Sequence, residues 1–236
     1  MIQPEPKPSN EAAAALASND RLAKRLRGFG PLGILAILVI LAGNVLIVPL
    51  SAVLVLVWAW RSCTPWRELG YVRPSNWINT LLLGIVFGSA FKLLMKVFVM
   101  PLLGASPINQ AYHYLAGNPA AIPGTLFAVI VVAGFGEETV FRGYMFERLG
   151  KLFGNSVGAK ISIVLLTSLF FGLVHYPDQG LAGAEQGTIT GLAFGTIFAF
   201  TGRIWMLMIA HAAFDLTAYA LIYWNLESGV AHLLFR

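Results

Sequence analysis

The sequence predicts an all-α fold, a polytopic membrane bundle of about six to eight transmembrane helices. Three observations carry that expectation. Of the 236 residues, 57% are hydrophobic and only 11% are charged, against roughly a quarter charged in a soluble domain. The mean hydropathy is +0.73, and 24 glycines are spread through the apolar runs, which excludes a disordered chain. The net charge of +5 comes from basic residues in short segments between those runs. That scatter marks topology signals rather than a nucleic-acid stripe, so no nucleic acid is expected as a partner. Cys63 is the single cysteine, so neither a disulfide scaffold nor a thiolate zinc site is available. Any metal has to be held by histidines and carboxylates.

Residues 1–10 are rich in proline and polar groups and read as a flexible tail. Residues 11–27 read as a surface helix whose RLAKRLR cluster either meets anionic headgroups or serves only as a topology signal. Five of the 16 Lys and Arg lie within the first 30 residues (Lys7, Arg21, Lys24, Arg25 and Arg27), and the positive-inside rule keeps such an end cytoplasmic. The chain therefore divides into a polar and basic cytoplasmic N-terminal tail, 1–30, and a membrane domain, 31–236. The apolar run 31–60 is longer than the core of a signal peptide and ends in tryptophans, so it reads as uncleaved. As a helix it is about 45 Å long against a hydrocarbon core of about 30 Å. That leaves a bent helix and a shallow hairpin open, with Asn44 and Pro49 permitting a break. Residues 61–76 read as a basic loop with two prolines.

Further spans are expected at 77–103, 123–141, 161–175, 188–201 and 204–224. The charged stretch 142–160 is expected on the cytoplasmic side, and the loop after His175, with Asp178 and Glu185 and no Lys or Arg, on the outer one. There is no internal repeat, phosphate loop or heptad pattern, and the glycines in the spans suit close helix packing. Short loops and a compact chain point to a multi-pass protein of a bacterial cell membrane, with the lipid bilayer as its surroundings.

Ionisable groups inside these spans are the informative residues, since one at the bilayer centre costs about 2.5–3.5 kcal/mol on insertion scales. They are Lys92 and Lys96, Glu137 and Glu138 with Arg142, His175, and His211 with Asp215. Glu138 and Arg142 are four apart and share a helical face, so they can pair. Glu137 then points about 100° away, free to face a cavity and activate water; the alternative is that all three mark a helix end at the interface. Phe171 and His175 share a face, with Pro177 helping to end the helix. His211 and Asp215 share another in a stretch that stays apolar on both sides. Lys92 and Lys96, one turn apart, either face a cavity or snorkel to an interface.

EETVFR, FGLVH and HAAFD resemble, in order and spacing, the motifs EExxxR, FxxxH and HxxxN/D of the CAAX protease and bacteriocin-processing family of intramembrane endopeptidases. The resemblance covers about residues 120–220, and ELGYVRPSNW before the second span is similar to the family's entry segment. It implies that Glu137 activates the attacking water with help from His175, and that Glu138 and Arg142, with Phe171, support the site. It also implies that His211 and Asp215 stabilise an oxyanion or complete a metal site. The family has been described as metal-dependent and as glutamate-dependent, so a zinc ion on Glu137, His175 and His211 and a metal-free base both carry over. Asp215 stands where better-known members have Asn; an ionised Asp cannot donate to an oxyanion, which leaves orientation of His211, protonation or metal ligation as its role. The implied substrate is a membrane-associated peptide or protein. A non-enzymatic membrane protein, either an ion-coupled transporter or an immunity or scaffold protein, is the rival reading.

Overall fold

The computed structural model describes residues 10–46 and 48–234, which are helical with no strand among them. Apart from Asn10, the tail expected over 1–10 lies outside the described residues. The chain divides after Pro65 into two units.

The first unit holds α1 (Asn10–Arg27), α2 (Pro31–Leu46) and α3 (Val48–Arg61). The chain bends by 63° between the end of α1 and the start of α2. Of the two forms open to 31–60, the hairpin is the one adopted: the Ser51 hydroxyl donates to the Ile40 carbonyl at 2.6 Å, and Gly43 lies against Ser51 and Leu54. At 1.5 Å per residue α2 and α3 are about 24 and 21 Å long, each shorter than a hydrocarbon core of about 30 Å. The Trp58 indole donates to the Leu26 carbonyl at 3.1 Å and ties α3 to α1.

The second unit opens with a short turn, Trp66–Leu69, whose Leu69 is fully buried. This part of the expected loop is therefore packed. Gly70 has φ +82, and a Cβ there would meet the Phe198 ring at 2.4 Å. Its carbonyl accepts from the Ile204 amide at 3.0 Å. Tyr71 donates its hydroxyl to Thr139 Oγ1 at 2.7 Å, since the Thr139 proton is already given to the Phe135 carbonyl; burial, partly offset by this bond, pushes the Tyr71 phenol up to about 12.

Four helical runs in this unit are long and apolar enough to cross a membrane. They are α4 (Trp77–Leu102), α5 (Pro119–Phe153), the run Val157–Thr201, and Trp205–Tyr223. The bent pair in the first unit raises the number of candidate spans to five if it counts as one. The run Val157–Thr201 is two helices meeting at Gly180, which has φ 63 and ψ −159, a conformation that costs glycine little. We label its arms α6 (157–179) and α7 (181–201), and Trp205–Tyr223 becomes α8. The arms run antiparallel in close contact, Gly187 against Gly172 and Gly191 against Ser168. The expected spans at 161–175 and 188–201 thus form, but the segment between them is helical up to and beyond one glycine instead of a loop.

Residues 142–153, the first part of the charged stretch, form the last turns of α5. Their charges are paired: Arg142 with Glu138 at 2.8 Å and Arg148 with Glu147 in buried pairs, and Lys151, nearer the surface, with Glu147 at 2.9 Å and Glu68 at 3.1 Å. A short helix, α9 (Glu227–Ala231), follows α8. Where α4 crosses α8, a Cβ on Gly88 would meet the Ala210 carbonyl oxygen at 2.0 Å. Glycine lets the two backbones approach, and the lysines of α4 thereby reach the same interior as the histidine of α8.

Candidate active site

The site is built on α5, whose stretches Ala128–Glu137 and Thr139–Met145 are wound as π-helix. The wider i→i+5 turn is uncommon and recurs at functional sites. It reduces the angle between successive side chains below the 100° of an α-helix, and both Glu137 and Glu138 come within reach of His211 on α8. Glu138 is completely buried. Its Oε1 accepts from Arg142 Nη1 at 2.8 Å and from His211 Nδ1 at 2.6 Å. The Arg142 guanidinium lies over the rings of Phe171, at 4.7 Å, and Phe194, at 5.4 Å. Glu138 therefore joins two helices through one oxygen, and the expected Glu138–Arg142 pair is a triad with His211.

Glu137 differs in its surroundings. Its side chain retains 15% exposure and it lines a cavity of about 340 Å³; its Oε2, like that of Glu138, has no hydrogen-bond partner. It lies 3.7 Å from His211 Nε2, and Asp215 Oδ2 lies 3.7 Å from the same nitrogen. Both separations exceed a direct hydrogen bond and are of the size that a bridging water can span. His211 thus donates its hydrogen bond to Glu138 and not to Asp215, its neighbour one turn along the helix. The other imidazole edge faces two carboxylates.

His175, at the far end of α6, is half-buried in the same cavity. Its Nδ1 donates to the Phe171 carbonyl at 2.7 Å, and a carbonyl can only accept, so in the neutral ring Nε2 keeps the lone pair. Phe171 is the hub of the arrangement. Its ring packs edge-on to His175 at 4.6 Å and to His211 at 5.9 Å while carrying the Arg142 guanidinium. All seven residues singled out from the motifs therefore meet in one region: Glu137, His175, His211, Asp215 and Phe171 on the cavity wall, with Glu138 and Arg142 behind it.

Among the described residues, no three His, Cys, Asp or Glu side chains converge to hold a metal ion. Glu137, His175 and His211 line one cavity, and with Nδ1 of both histidines hydrogen-bonded the Nε2 atoms are the ones left to a ligand.

Neither lysine of α4 snorkels. Lys96 donates to Glu227 Oε1 at 3.0 Å and to the Pro107 carbonyl at 2.6 Å, and Lys92 is buried against Gln186 and Phe214. A second chamber of about 430 Å³ shares Lys92, Gln179 and Gln186 with the first. The segment between α4 and α5 supplies Tyr112 to the cavity wall, where its hydroxyl accepts from Gln179 Nε2 at 3.2 Å. Burial, reinforced by the carboxylates of Asp215, Asp178 and Glu137, pushes that phenol up to about 12. Sequence reading missed Gln186, Glu227 and Tyr112. Their partners lie 94, 131 and 67 positions away, and no local spacing signals such pairs.

Fold and site together define a polytopic helical membrane protein with a Glu–Arg–His cluster behind an interior cavity and an unpaired glutamate on its wall. Residues 119–217 match the family model described as type II CAAX prenyl endopeptidase, Rce1-like, a family of proteases. The match agrees with the resemblance read from the three motifs. It covers 99 of the 236 residues, from the start of α5 to Thr217 in α8, and contains every motif residue. Comparison with curated proteins and with solved structures gives no match.

Proposed function

We propose that the protein is an intramembrane endopeptidase that hydrolyses a peptide bond in a membrane-associated peptide or protein, with Glu137 as the base that activates water. The observation that carries this reading is the contrast on adjacent residues. Glu138 is bound by Arg142 and His211, whereas Glu137 makes no such bonds and lines a cavity that His175, His211 and Asp215 also line. A carboxylate held there can take a proton from water as the oxygen attacks the scissile carbonyl. The lone pair on His175 Nε2 offers a second acceptor to orient the same water. The tetrahedral intermediate carries its negative charge on the former carbonyl oxygen, and His211, fixed through Nδ1, presents Nε2 to the cavity; protonated, that nitrogen donates to the oxyanion. The C–N bond then breaks as Glu137 returns its proton to the leaving nitrogen. The residues supply a base and an oxyanion partner from side chains alone.

The setting we propose is a bacterial cell membrane with the basic N-terminal region on the cytoplasmic side, supported by the cluster of Arg21, Lys24, Arg25 and Arg27 ahead of the first apolar run. The test is cleavage of a lipidated peptide library by protein purified in detergent. Removing a general base costs about 10²-fold or more in rate, so Glu137→Gln should lose at least that while inserting and folding normally. Turnover near the wild-type level in that variant would overturn the assignment.

A further inference from the structure

Lys92 is a buried cation with no carboxylate in direct contact, the nearest opposite charge acting on it being that of Asp215 across the same cavity. Its side chain is 7% exposed, and among the described residues no carboxylate forms an ion pair with it. Its contacts are the Gln186 amide oxygen, 2.9 Å from Nζ, and the face of Phe214, 4.8 Å away. Lys96, one turn along the same helix, shows the alternative. There the ammonium has Glu227 at 3.0 Å and the Pro107 carbonyl at 2.6 Å. An ammonium has three N–H donors, and a buried charge that is not matched by an opposite charge is expensive. Lys92 lines both chambers at their junction, with Gln179, Gln186 and Asn109 as polar neighbours.

We propose that Lys92 and Gln186 form an anion-binding subsite that takes a carboxylate of the peptide substrate. The inference rests on the endopeptidase reading and adds to it a determinant of which peptides are accepted. Phe214 follows His211 by three residues, which places the ammonium about one helical turn along α8 from the imidazole. A peptide whose carbonyl lies at Glu137 and His211 therefore reaches Lys92 without leaving the cavity. The surrounding groups suit a carboxylate. One ammonium and neutral amides offer a few donors, whereas phosphate is commonly held by a guanidinium fork, and among the described residues no arginine lines either chamber. The same charge could in principle meet the headgroup of an anionic lipid, and the experiment separates the two sources.

The lipidated peptide library is prepared in three forms: with a free C-terminal carboxylate, with a C-terminal carboxamide, and with internal Asp and Glu also replaced by their amides. Cleavage is measured for wild type, Lys92→Gln and Lys92→Arg in discs of neutral lipid and of lipid with added anionic headgroups. A charge-assisted hydrogen bond in a buried site corresponds to a preference of about tenfold or more. Wild type should show that preference for carboxylate-bearing peptides, chiefly in KM. Lys92→Gln should treat all three forms alike, and Lys92→Arg should retain part of the preference. The first two library forms distinguish a C-terminal from a side-chain carboxylate.

An equal preference in wild type and Lys92→Gln overturns the subsite, as does no preference in wild type. A Lys92 effect that follows anionic lipid and ignores the peptide carboxylate overturns it in favour of a headgroup site. Direct binding of the same peptides to Glu137→Gln protein supplies a readout independent of turnover. If wild type cleaves nothing, the endopeptidase reading fails, and the binding preference alone decides the fate of the subsite. Unfolding temperatures confirm that the Lys92 variants are folded.

Discussion

Glu137 and Glu138 are neighbours in sequence and belong to two different regions. Behind the site, Glu138, Arg142 and the rings of Phe171 and Phe194 form a dry cluster in which Glu138 is fully buried and bonded to two partners through one oxygen. In front, Glu137 and Asp215 stand in a cavity, each 3.7 Å from His211 Nε2. His211 belongs to both regions, its Nδ1 in the cluster and its Nε2 in the cavity. The comparison teaches that one imidazole can be oriented by a buried carboxylate on one edge while its other edge stays open to a cavity.

The comparison is broken most severely from behind. Arg142→Met leaves Glu138 buried with one charge partner removed, and losing one member of a buried pair costs about 3–5 kcal/mol. Thermal unfolding in detergent should show a large fall for this variant, and a wild-type melting profile would mean that the cluster is not what holds α5 to α8. In front, charge and shape can be separated at Asp215. Asp215→Asn keeps the shape and gains a donor for the oxyanion, so cleavage should stay within about tenfold of wild type, while Asp215→Ala should lose more. The losses in His211→Ala and Asp215→Ala should be less than additive in the double variant, since they share one site. Additive losses would separate the two residues. The smallest effect is expected far from the cavity, at Tyr71→Phe. It removes one hydrogen bond to Thr139, whose own proton still has the Phe135 carbonyl, at a cost of about 0.5–1.5 kcal/mol in stability. Cleavage should not change.

These contrasts also show which parts of the molecule the sequence discloses. Glu138 with Arg142, Phe171 with His175 and His211 with Asp215 are i, i+4 pairs, so helical spacing alone puts each on a common face. The three motifs were legible for that reason. What joins them was not: the bond from His211 to Glu138 spans 73 positions and depends on how α8 packs on α5. The same holds for Lys92, whose amide partner Gln186 sits beyond the Gly180 turn. The charges at 142–153 stand out in the sequence, but the burial of Glu147 and Arg148 beside each other follows from packing that no local spacing signals. The hairpin at Gly180 was legible as two spans but not as two helices meeting at one residue, because only the positive φ of that glycine shows how tight the reversal is.

The account stands most directly on turnover per folded molecule for Glu137→Gln and Glu138→Gln, measured side by side with the folded fraction taken from unfolding curves of the same preparations. The account predicts that Glu137→Gln melts like wild type and loses about 10²-fold or more in cleavage, whereas Glu138→Gln melts at a clearly lower temperature and keeps more activity per folded molecule than Glu137→Gln. Cleavage retained by a folded Glu137→Gln protein, or a Glu138→Gln protein of normal stability and no activity, would contradict the division between the two glutamates.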